Sequence, residues 1–155
     1  MSKVFSSTSK SSIQSFTLVE LIIVVIIVGI LASLGLTQYS LMVEKSRTVE
    51  ARVRLGTMRQ LAYEFYLSNG DVISIQNADV GVNNTCASTD FYRYLVVGYP
   101  GTAQLQASRC TNSGKPPNAS RGYTFYVNFS PGTGVADWYC GYSDDSSSCF
   151  GLPGA

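Results

Sequence analysis

The stretch FTLVELIIVVIIVGILASLGL, residues 16–36, decides how the rest of the chain is read. Glu20 is its only ionisable side chain. At ~1.5 Å of rise per residue, a helix over this stretch reaches ~32 Å, about the thickness of a bilayer's hydrocarbon core. Lipid offers the backbone no hydrogen-bond partners, so a lone apolar segment is expected to be helical there. A plain membrane anchor has no use for an acid. Carried to mid-bilayer, a carboxylate costs roughly 2.5–3.5 kcal/mol, and snorkelling near the segment's end reduces this. Glu20 therefore reads as functional, and a cationic partner is expected for it.

Residues 1–15, MSKVFSSTSKSSIQS, are polar and Ser-rich, with Lys3 and Lys10. A secretory signal places its cut after the apolar run, whereas here the polar stretch precedes it. It reads as a cytoplasmic tail. Counting positive charges does not orient the segment, because Lys45, Arg47, Arg52, Arg54 and Arg59 lie on its other side. The cysteines do. Cys86, Cys110, Cys140 and Cys149 all follow the apolar run, without a CxxC or a zinc-like spacing. Disulfides in an oxidising compartment are the better reading, placing the carboxy-terminal domain outside the cytoplasm. Of the three possible connectivities, Cys86–Cys110 with Cys140–Cys149 is preferred, because each closes a short local loop. Four free buried thiols is the alternative.

From Ser15 to about Tyr39 the chain closely resembles the amino-terminal signature of type IV pilins and pseudopilins. That signature is a short basic leader, a cleavage point, Phe-Thr-Leu-x-Glu, and a long apolar helix. The resemblance implies that a prepilin peptidase cuts between Ser15 and Phe16 on the cytoplasmic face and methylates the new Phe16 amine. It also supplies the partner of Glu20, the Phe16 amine of a neighbouring subunit. In a low-dielectric filament core such opposite charges attract far more than in water. The family usually has Gly before the cut where this chain has Ser15, and Pro where it has Thr37. Pro would stop or kink the helix. Gly29 and Gly35 remain as weak points, each ~1 kcal/mol less favourable than Ala, so residues 29–37 are expected to unwind when subunits pack. A carboxy-terminal disulfide loop is also common in the family.

Beyond Thr37 the pattern turns amphipathic without a break. Ala51, Leu55, Met58, Ala62 and Phe65 fall at i, i+4, i+7, i+11 and i+14, one helical stripe. Glu50 and Arg54 have the favourable i, i+4 order. Gly70 or Asn69 suits a left-handed cap. One helix over residues 16–68 is expected, its second half laid on a sheet. The basic cluster 45–59 reads as a solvated helix face, or as a surface for pairing between subunits. Residues 71–117 form a connecting region with mixed signals, in which FYRYLVVGY, 91–99, suits a strand or a short helix. In YTFYVNF, 123–129, Tyr123, Phe125, Val127 and Phe129 alternate as on a strand. A turn at 130–134 and a return strand at 135–142 complete an antiparallel hairpin, from which Cys140 leaves. The ten tyrosines suit a half-buried sheet. The fold class is therefore α+β, in four parts: leader 1–15, apolar helix 16–36, amphipathic continuation 37–68, and a globular head at 69–155 with a small antiparallel sheet.

Formal charge is +1, and loss of Lys3 and Lys10 with the leader turns it to −1. Neither value suggests nucleic-acid binding. The chain has no His, which excludes His triads, His relays and His metal sites. No phosphate loop or dinucleotide fingerprint occurs, and no cofactor is implied. Asp144 and Asp145, with the serines 146–148, carry oxygen ligands for Ca²⁺ without a recognisable spacing, so a solvated disulfide loop is preferred. Asn83, Asn118 and Asn128 open Asn-x-Ser/Thr patterns.

The expected function is assembly rather than catalysis: a structural subunit of a type IV pilus serving adhesion, motility or uptake. Subunits wait in the inner membrane and then join a homo-oligomeric extracellular filament. Expected partners are like subunits, the prepilin peptidase, and an assembly platform with its motor. The alternatives are a pseudopilin of a type II secretion system, a minor pilin, and a single-pass anchored binding module that never polymerises.

Overall fold

A computed structural model describes residues 16–117, 119, 121–143, 149–150 and 152–154, with backbone only at 36, 37, 40 and 41. The leader 1–15, Asn118 and the acidic segment 144–148 lie outside the described residues. Helix α1 spans Leu18–Asn69 and is followed by four strands, β1 (Tyr92–Tyr99), β2 (Thr102–Arg109), β3 (Tyr123–Ser130) and β4 (Val135–Tyr142). The chain divides into two compact units, the first ending at Met42 and the second beginning at Val43.

In the first unit α1 is apolar on every side. Residues 16–35 are all exposed, and Leu18–Gly35 is long and apolar enough to cross a membrane, with a mean hydropathy of 2.8. A helix that is greasy all round has no face for a sheet of its own, and needs lipid or other apolar helices around it.

In the second unit the helix becomes one-sided. Ala51, Leu55, Met58 and Ala62 are fully buried, and Phe65 packs partly against the same cluster. The helix stops because Gly70 takes φ +80°, a left-handed conformation that costs glycine little, and its N–H closes onto the Tyr66 carbonyl at 2.8 Å.

The sheet is an antiparallel meander in the order β1-β2-β3-β4. Alternation places Tyr92 and Val96 of β1, Ala103, Leu105, Ala107 and Arg109 of β2, and Tyr123, Phe125, Val127 and Phe129 of β3 on the face that is buried. Register follows that pattern, with Leu105 opposite Val127 and Ala107 opposite Phe125. At the other surface Gln104 and Gln106 of β2 lie among Tyr126 and Asn128 of β3 and Tyr139 of β4, and Gln104 Nε2 donates to both Asn128 and Tyr139.

Three features differ from the sequence reading. In the 71–117 region the strand alternative holds for 92–99, but a second strand, β2, follows it, and the first part of the region is packed: Val72, Ile75 and Val80 are buried. Gly98 is needed there, because a Cβ at that position would run into the carbonyl oxygens of Val72 and Ile73. Cys140 does not leave β4 but sits inside it, fully buried. And Arg54 donates to the Gly81 carbonyl rather than pairing with Glu50.

Two disulfides close the head. Cys86 is joined to Cys110 and Cys140 to Cys149, with Cα–Cα separations of 5.9 and 5.5 Å. The second brings the carboxy-terminal residues back onto the fold. The Cys140 N–H donates to the Pro153 carbonyl at 2.9 Å, and the Phe150 ring lies 4.9 Å from that of Tyr123. The open edge of β4 is thereby partly covered, which limits pairing with a stray strand.

Candidate assembly site

The helix opens at Thr17, and its first turn satisfies itself. The Thr17 hydroxyl accepts from the Glu20 N–H at 3.2 Å, while Glu20 Oε2 accepts from the Thr17 N–H at 2.9 Å and its hydroxyl at 2.7 Å. This is a reciprocal capping box, and Thr-Leu-Val-Glu is its sequence form, S/T-x-x-E. The four residues carry that signal in the sequence, on the same glutamate that marks the apolar stretch. The consequence is chemical. Glu20 spends one oxygen on the free donors of the helix end, and Oε1 has no partner among the described residues. Phe16, one residue before the cap, is 79% exposed. Ser15, the other half of the expected cleavage bond, is outside the described residues. Gly29 and Gly35 lie in open surroundings within an unbroken helix.

A second charged centre lies wholly within the second unit and left no mark in the sequence pattern. Arg109 closes β2 on its buried face, with a side chain fully out of solvent. Its Nε donates to Glu44 Oε1 at 2.6 Å and one Nη to Glu44 Oε2 at 3.4 Å. The remaining donors reach the carbonyls of Phe91 (3.0 Å), Cys110 (3.2 Å) and Pro117 (3.0 Å). Every face of the guanidinium fork is thus occupied, which is what makes a buried arginine tolerable. The Phe91 ring adds a flat surface 5.2 Å from Cζ.

Glu44 gathers two further donors, Arg47 at 2.7 Å and the Tyr123 hydroxyl at 2.8 Å. An ionised carboxylate only accepts, so the one Tyr123 proton points to Glu44, and Tyr92 must donate to the Tyr123 oxygen 2.7 Å away. Burial alone would raise the Glu44 carboxyl. The bonds from Arg109, Tyr123 and Arg47 outweigh it and hold the group below its ordinary value. Burial pushes Tyr92 up to about 12, and pushes Tyr123 higher, so both hydroxyls keep their protons at neutral pH.

The basic cluster divides. Arg47 is drawn onto Glu44, Arg52 donates to the Phe150 carbonyl at 3.3 Å, and Arg54 to Gly81. Lys45 and Arg59 stay exposed. No group of His, Cys, Asp or Glu among the described residues is arranged to hold a metal. The Asp144–Asp145 reading falls outside them.

Residues 10–36 match the family model described as the prokaryotic N-terminal methylation motif. The fimbrial protein EcpC of Eikenella corrodens is 29% identical over 140 residues, covering 88% of this chain and 90% of that protein. A probable minor fimbrial protein of Dichelobacter nodosus is 44% identical over 57 residues, 37% of this chain and 35% of that protein. Methylation motif, exposed apolar helix, antiparallel sheet and disulfides occur together in this chain. The chain thus carries the methylation motif and is similar to fimbrial proteins.

Proposed function

We propose that the chain is a structural subunit of a type IV pilus, polymerising through its apolar amino-terminal helix. A prepilin peptidase removes residues 1–15 by cutting between Ser15 and Phe16, and the Phe16 amine is methylated. The processed subunit waits in the inner membrane with its head outside the cytoplasm. An assembly platform and motor then move it into the extracellular filament, since the chain carries no nucleotide-binding pattern of its own. The Phe16 amine of one subunit pairs with Glu20 of the next, setting their register.

The observation that carries this reading is Glu20 itself. It is the single acid of the exposed apolar stretch Leu18–Gly35, with one carboxylate oxygen held by Thr17 and the other without a partner among the described residues. Intact-mass and amino-terminal analysis of native protein tests it. Material that begins at a methylated Phe16 supports the proposal; fibres built of chains that begin at Met1 reject it. A minor-pilin role is the second reading, favoured by the match to the Dichelobacter minor fimbrial protein. Composition of purified fibres separates the two, because a major subunit must dominate their mass.

A further inference from the structure

Along α1 the first side chain tied by an ion pair to the sheet is Glu44, two residues into the second unit. Among the described side chains the first buried helix residue, Thr48, follows a turn later. Through Arg109, the grip on Glu44 reaches the end of β2, the Phe91 carbonyl just before β1, the Cys110 carbonyl at the Cys86–Cys110 disulfide, and the Pro117 carbonyl. Through Tyr123 it also reaches β3. One carboxylate on the helix therefore holds four separate stretches of the head. Upstream, residues 18–35 are exposed and carry two glycines, so in the isolated chain their helicity rests on intrahelical bonds alone.

We infer that the Glu44–Arg109 pair is the anchor at which the head takes hold of α1: it sets the downstream limit of helix unwinding and carries axial pull from the helix into the sheet. The second half of this inference rests on the filament reading, because only a filament pulls on the helix. The first half does not. Arg109 is a positioning residue here, acting on the helix through Glu44. The geometry suits the role. A bidentate fork resists both sliding and rotation of its partner, whereas an apolar contact lets a helix slip by a fraction of a turn. Ala51, the first fully buried apolar residue of the stripe, lies two turns further on and is small, so packing alone would hold this end of the helix loosely.

Hydrogen exchange on the full chain in detergent micelles tests the anchor without requiring fibres. In Glu44→Gln the side chain keeps its shape and can still accept from Tyr123, but the charge is gone. Amides 45–50 are expected to exchange roughly tenfold faster or more, while those at 55–65 keep their protection. Arg109→Met should behave alike, and Arg109→Lys, which restores charge without the fork, should recover only part of the protection. If Arg109→Met does not fold, Glu44→Gln alone decides. Unchanged exchange at 45–50 overturns the anchor. So does a uniform acceleration over the whole head, which would make the pair an ordinary stabilising contact. Stretching of wild-type and Glu44→Gln fibres then tests the mechanical half: the variant is expected to lengthen further at equal force, and equal extension overturns that half. Absence of fibres from wild-type protein would count against the pilus reading and leave the exchange result standing.

Discussion

Two of the four glutamates of α1 are treated in opposite ways. Among the described residues the Glu20 carboxylate is bonded only to Thr17, three residues away, through contacts any helix end can make. Glu44 is bonded to Arg109, 65 residues away, and to Tyr123, 79 residues away. The first is answered by the local chain and still has capacity for a partner from outside. The second is saturated from within. The two parts of the helix repeat the contrast: Val24, Ile26 and Leu31 are more than half exposed, whereas the stripe residues Leu55 and Met58 are fully buried. One part of α1 has its partners supplied by the chain itself. The other must find them in lipid or in other copies of the chain.

The contrast breaks most visibly if Glu20 is dispensable. Glu20→Ala is expected to leave membrane insertion intact, since it makes the segment more apolar, and to cut fibre yield by an order of magnitude or more. Sheared-fibre yield against the membrane-bound pool measures both; equal fibre yields would end the charge-pair account. Leu55→Ala should do the reverse, lowering the stability of the head by ~2–5 kcal/mol while insertion is untouched. Its denaturant midpoint in micelles reports the loss, and a shift no larger than that of an exposed Leu67→Ala control would mean the stripe does not carry the core.

Acid sharpens the comparison. The Glu44 carboxyl is held below its ordinary value in the folded chain, so its contribution is present above the unfolded carboxylate pKa and is lost as pH falls through the folded one. The Tm difference between wild type and Glu44→Gln should therefore be widest near neutral pH and shrink as the solution is taken below the carboxylate range. A difference that stays constant with pH assigns the effect to shape rather than charge. The smallest effect is expected at the helix stop. Gly70→Ala forces a side chain into φ +80° and should cost about 1 kcal/mol, with nothing nearby for the new methyl to strike. A neutral Gly70→Ala would show that the cap relaxes.

What was legible in the chain follows from how far a signal has to travel. The stripe from Ala51 to Phe65, the stop at Gly70 and the β3–β4 hairpin are local patterns, written in periods of 3.6 and 2. β2 was illegible because three of its four inward residues, Ala103, Ala107 and Arg109, are small or charged and leave Leu105 alone to mark a strand. β1 was ambiguous because a short stretch rich in aromatic and aliphatic residues suits either period. Cys140 looked like an exit from β4 because a cysteine at a loop's mouth and one inside a strand read alike.

The amino-acid order by itself determined the apolar helix, its single acid, the amphipathic continuation and the alternation of β3, since each depends on neighbours within a turn or a pleat. Only the tertiary structure decided which cation answers Glu44. That choice needed the meander's register to bring the end of β2 to the helix, and register is a property of paired strands, which no single segment carries.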